Sequence, residues 1–340
     1  MFSRISFLAA LGLLSISAPA LADDTHPRAD SHAPLGVMGD HLHKQGEWMA
    51  SYRYEYLRQQ GVRSGHDTVN PMSVLATYGE VPTRMVMGMH MLELMYGITD
   101  DLTLMAMPHY MTMDMTHMAH GGHGAHSHRL EGAGDTEVTA LYSLWRDEGS
   151  ETGHRIHANI GVSLPTGEYD KSFMNHHGMT FHLPYNMQFG SGTYDPLLGL
   201  TYTGYSEAWS WGAQGMATLH TGHNGSGWRQ GDKYQITGWA ARNLGNAASV
   251  SLRLAGESWG DVDGRDVMLP ITTIAGADPT KQAGERVTAY FGVNLLAGEE
   301  NGALAGHRFS GEIGVPLYER FDGPAADTDW SVTLGWQYAF

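Results

Sequence analysis

The chain ends with an alternating stretch, residues 329–340, which reads DWSVTLGWQYAF. Large apolar side chains occupy every second position, and small or polar residues fill the positions between them. This period of two predicts a β-strand with one apolar face and one polar face. Two Trp, one Tyr and a final Phe on a single face are typical of a strand that meets lipid through an aromatic girdle. The pattern therefore favours the closing strand of a transmembrane barrel over the edge strand of a soluble sandwich.

The same alternation recurs along the chain, in segments separated by connections that are alternately long and short. The predicted strands are 48–57, 84–96, 102–113, 135–146, 155–164, 194–202, 209–220, 233–243, 249–259, 286–296, 308–318 and 329–340. Short turns at one end and long loops at the other are the known asymmetry of outer-membrane barrels. The sequence therefore predicts an all-β fold, a transmembrane antiparallel β-barrel of about 12 strands that is closed by the C-terminal strand.

The N-terminal region divides into two parts before the barrel. Residues 1–22 have a basic start, an apolar run and an Ala-Leu-Ala end, which predicts a secretory signal peptide. Residues 23–45 are polar and predict a periplasmic N-terminal segment. Its His41-x-His43 pair is expected to be solvated, with metal binding as the alternative. Residues 46–340 form the predicted barrel, so the expected location is the bacterial outer membrane.

Composition narrows the possible functions. The formal net charge is −16 and the chain contains no Cys, which argues against nucleic-acid binding and excludes disulfides. We find no nucleophile elbow, zinc-protease motif or phosphate-binding loop, so we predict no catalytic residues, no enzyme activity and no required cofactor. The expected partners are outer-membrane lipid, the barrel-assembly machinery, and a small solute or metal ion.

Methionines concentrate on the second and third predicted strands, where eleven of the 20 lie between Met85 and Met118. Glu93 and His109 share their faces with these methionines, and charge is costly beside lipid, so this face is predicted to line the lumen. The predicted lumen residues are Met85, Met87, Met89, Met91, Glu93, Met105, Met107 and His109. Thioether sulfur is either an adaptable filler of an irregular interior or a soft ligand that selects Cu(I).

A His-rich stretch follows the third strand and is predicted to be a long loop, residues 112–133. Closely spaced imidazoles can converge on Cu(II) or Zn(II), so we predict that this stretch binds copper or zinc ions. The predicted metal ligands are His117, His120, His123, His126, His128, Met111, Met113, Met115 and Met118.

Four phrases of the sequence resemble a known family. They are YGITDDLTL at 96–104, GDTEV at 134–138, VSLPTG at 162–167 and GSGTYDP at 190–196. Together they resemble the outer-membrane barrels of the "MetA-pathway of phenol degradation" family. The resemblance implies a barrel that transports small aromatic or hydrophobic compounds, whereas the abundance of Met and His here departs from that pattern.

Three functions remain open from the sequence. The first is an outer-membrane channel or transporter for a small solute, with copper or another transition metal as one candidate solute. The second is uptake of small aromatic or hydrophobic compounds. The third is a structural barrel whose loops bind metal only incidentally.

Overall fold

The computed structural model describes residues 28–119, 125–149, 152–174, 180–271 and 273–340, and antiparallel strands dominate it. The strands are β1 (Trp48–Gly65), β2 (Asp67–Thr68), β3 (Glu80–Thr99), β4 (Leu102–Met107), β5 (His109–Ala119), β6 (Ala125–Ala133), β7 (Thr136–Glu148), β8 (Thr152–Leu164), β9 (Ser172–Met174), β10 (Thr180–His182), β11 (Asp195–Ser206), β12 (Trp209–Thr218), β13 (Trp228–Arg229), β14 (Lys233–Asn243), β15 (Ala248–Trp259), β16 (Asp263–Gly264), β17 (Gly284–Leu296) and β18 (Arg308–Ala339). The helical elements are α1 (Pro71–Leu75) and the 3₁₀ turns Tyr185–Met187, Ala275–Ala277, Pro279–Lys281 and Glu299–Leu304. Within these ranges, no helix has the length and apolar character needed to cross a bilayer.

Eleven strands form a closed antiparallel ring in the order β1, β18, β17, β15, β14, β12, β11, β8, β7, β4 and β3. The ring closes because β1 pairs with β18 on one side and with β3 on the other. At the closing seam Trp48 N donates to Phe340 O, and Phe340 N donates to Trp48 O, each at 2.8 Å. The predicted barrel, closed by the C-terminal strand, is confirmed.

The last strand, β18, crosses the barrel twice. It contains 32 residues, which would extend about 105 Å if straight. Its first part pairs with β17 and its second part with β1. The two parts also touch each other, since a Cβ at Gly314 would lie 2.6 Å from Ser331 Oγ. Counting the two arms of this hairpin separately gives the twelve crossings that the sequence predicted.

Side chains alternate between lumen and exterior around the ring. On the C-terminal strand Ser331, Thr333 and Gln337 are buried in the interior, whereas Leu334 is 56% exposed and Phe340 is 42% exposed. The same outward exposure of large apolar residues recurs on the other strands, at Leu92, Leu94, Leu104, Ile160, Leu200, Ile236, Leu252, Leu254, Phe291, Ile313 and Leu317. A continuous apolar exterior around a polar interior is the arrangement that a bilayer requires.

The prediction of a loop at 112–133 is wrong. Most of these residues form a β-hairpin that extends beyond the ring at the end opposite Phe340. Strand β5 continues β4 beyond Pro108 and pairs with β6, in a register from Tyr110↔Ala133 to Met118↔Ala125. The alternation of Met and His at every second position is itself a strand pattern. The high His and Gly content of this stretch masks that period in the sequence.

The N-terminal segment 28–45, called the plug below, lies inside the ring. Its buried side chains include Leu35, Val37 and Asp40. The predicted signal peptide, residues 1–22, lies outside the described residues.

Candidate functional site

The plug is a loop that rises into the lumen and returns to the same end. We call this end, where Phe340 lies, the lower end. One arm leaves the lower end beside Gly46, whose N–H donates to Gly97 O at 2.8 Å. The apex is at Gly36, whose N–H donates to Glu312 Oε2 at 2.6 Å. The other arm is held at the lower end by contacts with β15 and β18.

The plug divides the lumen into two cavities. The lower cavity has a volume of about 720 Å³ and is lined by plug residues that include His32, Asp40 and His41. The upper cavity has a volume of about 530 Å³, with Gly36 and Met38 of the plug in its lining. A solute that crosses the barrel must therefore pass the plug apex.

One wall of the upper cavity includes Met87, Met89, Met91 and Met107, which belong to a larger set of inward methionines on β3, β4 and β5. Because β3 pairs with β4 and β5, residues directly opposite on these strands form rungs. The rungs are Met85/Met115, Met87/Met113, Met89/Met111, Met91/His109 and Met95/Met105. We call this set the Met ladder; Glu93 and Met107 lie on the same face between its last two rungs. Side chains directly opposite in an antiparallel pair have Cβ atoms about 5 Å apart, so each rung places two donor side chains in contact range.

The predicted lumen residues all point inward. Met85, Met91, Met105, Met107 and Glu93 are buried, and Met87, Met89 and His109 are half-buried. Glu93 is paired with Arg53 of β1 at 3.2 Å, and each of these side chains is 2% exposed. His90 points outward. Its Nδ1 is hydrogen-bonded to Tyr52 Oη at 2.7 Å, and its ring contacts that of Tyr54.

The opposite wall of the lumen is charged. Arg253 donates to both oxygens of Glu312 at 3.0 and 3.1 Å, and its guanidinium lies 3.7 Å from the ring centroid of Tyr290. Further up, Arg286 Nε donates to Glu319 Oε1 at 2.7 Å. Paired and hydrogen-bonded charges of this kind are compatible with burial, whereas isolated ones are not. The lumen therefore has a soft apolar wall facing a wall of ion pairs.

Three of the predicted metal ligands meet at the upper rim, on the inner face of the β5–β6 hairpin. One nitrogen each of His117, His126 and His128 lies within 4.8 Å of the others. His117 is 3% exposed and its Nδ1 has no hydrogen-bond partner among the described residues. Glu80 Oε2 lies 3.5 Å from His126 Nε2. Burial, together with the neighbouring His128 and His126, lowers the pKa of His117 to about 4, so its imidazole is neutral and free to bind.

The other predicted ligands divide into three groups. Met115 lies directly opposite His128, and Met111 and Met113 continue the same inner face downward into the Met ladder. Met118 points to the other face and packs beside Val62 and Val81 rather than the imidazoles, so its prediction as a ligand is wrong. His120 and His123 lie outside the described residues.

A second imidazole cluster belongs to the plug. The sequence indicated His41 and His43 as an alternative metal-binding pair, but not His32 or Asp40. The expectation that His41 and His43 are solvated is wrong, because His43 is 5% exposed and the His41 side chain is 14% exposed. Asp40 Oδ1 accepts from His41 Nδ1 at 2.8 Å, and a donor atom of His32 lies within 4.8 Å of both groups. Although burial alone would lower it, the Asp40 carboxylate raises the pKa of His41. The His-x-His spacing pointed to His41 and His43, whereas the plug has no strand period from which to infer that His32 and Asp40 lie beside them.

The charged wall was also absent from the sequence-based site, although a signal for it existed. Arg253, Glu312 and Arg286 occupy inward positions of alternating strands, and Arg253 lies directly between the exposed Leu252 and Leu254. A charged residue at the inward position of a barrel strand predicts a lumenal group.

A protein family and several solved structures are similar to this chain. The family described as "Putative MetA-pathway of phenol degradation" matches residues 100–295. The structure of an outer-membrane channel from Pseudomonas putida F1 is similar with a TM-score of 0.59 and 16% sequence identity, covering 89% of this chain and 99% of that one. The toluene transporter TodX of P. putida is more distant, with a TM-score of 0.40, 10% identity, and coverage of 88% and 91%. No curated protein sequence matches the chain.

A closed ring with an apolar exterior around a lumen that carries buried charges defines an outer-membrane β-barrel. The chain belongs to the "MetA-pathway of phenol degradation" family, whose model covers more than half of it.

Proposed function

We propose that this barrel passes soft transition-metal ions, above all Cu(I), across the outer membrane along the Met ladder. The observation that carries the proposal is the register of β3 against β5, which sets thioethers opposite one another on three successive rungs. Cu(I) prefers soft thioether ligands, which hard cations such as Mg²⁺ avoid. Successive rungs are about 7 Å apart along the strands, so an ion can be handed between neighbouring pairs of flexible side chains.

The length of the Met ladder supports passage rather than storage. From Met85 to Met95 the strand extends about 33 Å. It runs from the β5–β6 hairpin, which contributes one thioether to each of the three thioether pairs, down to Met95/Met105 beside the plug. The rim cluster of His117, His126 and His128 stands at the top, where long connections of such barrels face the exterior. Imidazoles there concentrate ions at the mouth, and the thioethers conduct them inward.

A test compares metal passage into liposomes that contain the purified protein. Ag(I), a soft ion without redox chemistry, is added outside and detected by a chelating dye inside. The ladder variant replaces Met85, Met87, Met89, Met111, Met113 and Met115 by Leu, a swap that conserves volume and is tolerated in packed interiors. Its matched control replaces the exposed Met72 and Met268 by Leu.

We expect the rate of Ag(I) passage to fall more than about tenfold in the ladder variant. A tenfold change corresponds to a loss of about 1.4 kcal/mol in the free energy of ion binding at the site that limits passage. The control variant should keep the parental rate. Equal Ag(I) rates in the ladder variant and the parent, with both proteins folded, would refute metal conduction by the thioethers.

A second candidate is passage of small aromatic or hydrophobic compounds. It is favoured by Leu57 and Phe189, which join Met87 and Met89 in an apolar lining of the upper cavity. The family description points to phenol degradation, and the more distant TodX is described as a toluene transporter. Two results in the same liposomes would together favour this candidate. Phenol would still pass through the ladder variant, and the Ag(I) rate of that variant would equal the parental rate.

A further inference from the structure

The two arms of the plug bring an unassigned group of imidazoles together beside the lower cavity. His32 lies on the arm that leads to the apex, whereas Asp40, His41 and His43 lie on the arm that returns. The His32 and His41 ring centroids are 4.0 Å apart, and those of His41 and His43 are 4.8 Å apart. One possible ligand atom from each of His32, Asp40 and His41 lies within 4.8 Å of the other two.

Each of these imidazoles has an uncommitted nitrogen. Within the part of the chain that the structure describes, His32 Nδ1, His41 Nε2 and His43 Nε2 are buried and have no hydrogen-bond partner. Buried polar atoms are normally paired, so three such nitrogens in one cluster need an explanation. A ligand that accepts electron pairs from nitrogen would satisfy them.

Carboxylates hold the other ring nitrogens of two of these residues. His41 Nδ1 donates to Asp40 Oδ1 at 2.8 Å, and His43 Nδ1 donates to Glu47 Oε2 at 3.0 Å. A carboxylate on one ring nitrogen fixes the tautomer and turns the other nitrogen toward a metal, as in many metal sites.

The surrounding charges tolerate a dication. Arg308 lies close by but is committed to other plug groups, with Nη2 donating to Arg28 O at 3.0 Å and to Ser31 Oγ at 2.9 Å. Asp40 supplies a negative charge within the cluster, and its Oδ2 accepts from Ala33 N at 2.7 Å. Imidazole nitrogen with one carboxylate suits Zn(II) or Cu(II), and not Ca²⁺ or Mg²⁺, which prefer oxygen ligands.

We propose that the plug holds one Zn(II) or Cu(II) ion through His32 and His41, with Asp40 and His43 completing the site. Such an ion fastens the two arms of the plug to each other across the lower cavity. The site is distinct from the rim cluster and from the Met ladder, and it does not depend on what the barrel conducts.

The experiment counts tightly bound Cu(II) on the purified, chelator-stripped full chain in detergent. The background variant replaces His117, His126 and His128 by Ser, which removes the rim site. On this background, H32S/H41S is compared with a matched control, H154S/H307S, which removes two histidines that lie near the same lower end. Histidines outside the described residues are present in all three proteins and cancel in the comparison.

We expect H32S/H41S to bind one Cu(II) fewer than the background, with the corresponding loss of nitrogen hyperfine splitting in the electron paramagnetic resonance spectrum. The control should lose none. An unchanged count in H32S/H41S overturns the proposal, whereas failure of the Ag(I) passage test leaves this count as expected, so the two proposals fail separately.

A second measurement needs no variant and covers the case in which H32S/H41S does not fold. The parental protein is treated with diethylpyrocarbonate with and without Zn(II), and modified histidines are located by mass spectrometry. Zn(II) should protect His32, His41 and His43 while leaving His223 on the exposed surface reactive. Equal modification of the plug histidines with and without Zn(II) would also overturn the proposal.

Discussion

The plug apex offers a sharp test of how the lumen is gated, through the single methyl group added by Gly36→Ala. A Cβ at this position would lie 2.0 Å from Arg253 Nη2 and 2.7 Å from Glu312 Oε2. These atoms have little room to move, because Arg253 is held between Glu312 and the Tyr290 ring. The apex must therefore move away from the wall.

The magnitude follows from the contact that is lost. Gly36 N donates to the charged Glu312 Oε2 at 2.6 Å, and a hydrogen bond to a charged group contributes about 1.5–3 kcal/mol. Since about 1.4 kcal/mol is a factor of ten, the displaced plug should become about 10 to 150 times more populated. The barrel itself should stay as stable as before, because the change adds no strain to the strand ladder.

The assay is the conductance of the purified protein in planar bilayers. We expect Gly36→Ala to raise the time-averaged conductance, either as longer openings or as a larger open state. The control is Gly215→Ala in β12, where an added Cβ has no atom within 4 Å. A Gly36→Ala protein that folds and conducts as the parent does would refute the idea that the apex closes the lumen.

Three further predictions concern assembly and stability. Deleting Phe340 should reduce the amount of protein in the outer membrane, because its backbone closes the ring and its side chain belongs to the outward aromatic face; normal amounts in fractionated membranes would contradict this. Glu93→Gln should lower the free energy of unfolding by about 3–5 kcal/mol, since it leaves the buried Arg53 unpaired, whereas Asp322→Asn in an exposed pair should cost at most about 1 kcal/mol; urea unfolding in lipid vesicles that gives equal losses would count against the first value. In the metal-free protein, His117 should lower the stability of the rim hairpin as pH falls from 6.5 towards about 4, because its folded pKa lies below its unfolded value and the unfolded state then binds more protons; hydrogen exchange of the hairpin amides that does not change over this range would refute the prediction.

The sequence alone determined the barrel and the direction in which most of its side chains point. A strand has a period of two, so the alternation of residues within each segment distinguishes its inner face from its outer face. A one-residue slip in register would move every side chain to the opposite face. This is why the faces of the 329–340 stretch and of the methionine-rich strands followed from the sequence. The same period also ran through the His-rich stretch at 109–133, where the unusual composition hid a hairpin.

The site owes more to tertiary structure, because its parts come from distant places in the chain. His32 and Arg308, or Gly36 and Glu312, are brought together only when the ring has closed around the plug. The plug has no regular period, so neither its path nor the burial of His41 could be inferred from its residues. The Met ladder lies between these cases: the sequence placed its methionines on one face, but only the pairing register of β3 with β4 and β5 set them opposite one another. Alternation is a local property of each strand, whereas register and enclosure depend on which strands become neighbours, and that is decided by the closure of the whole barrel.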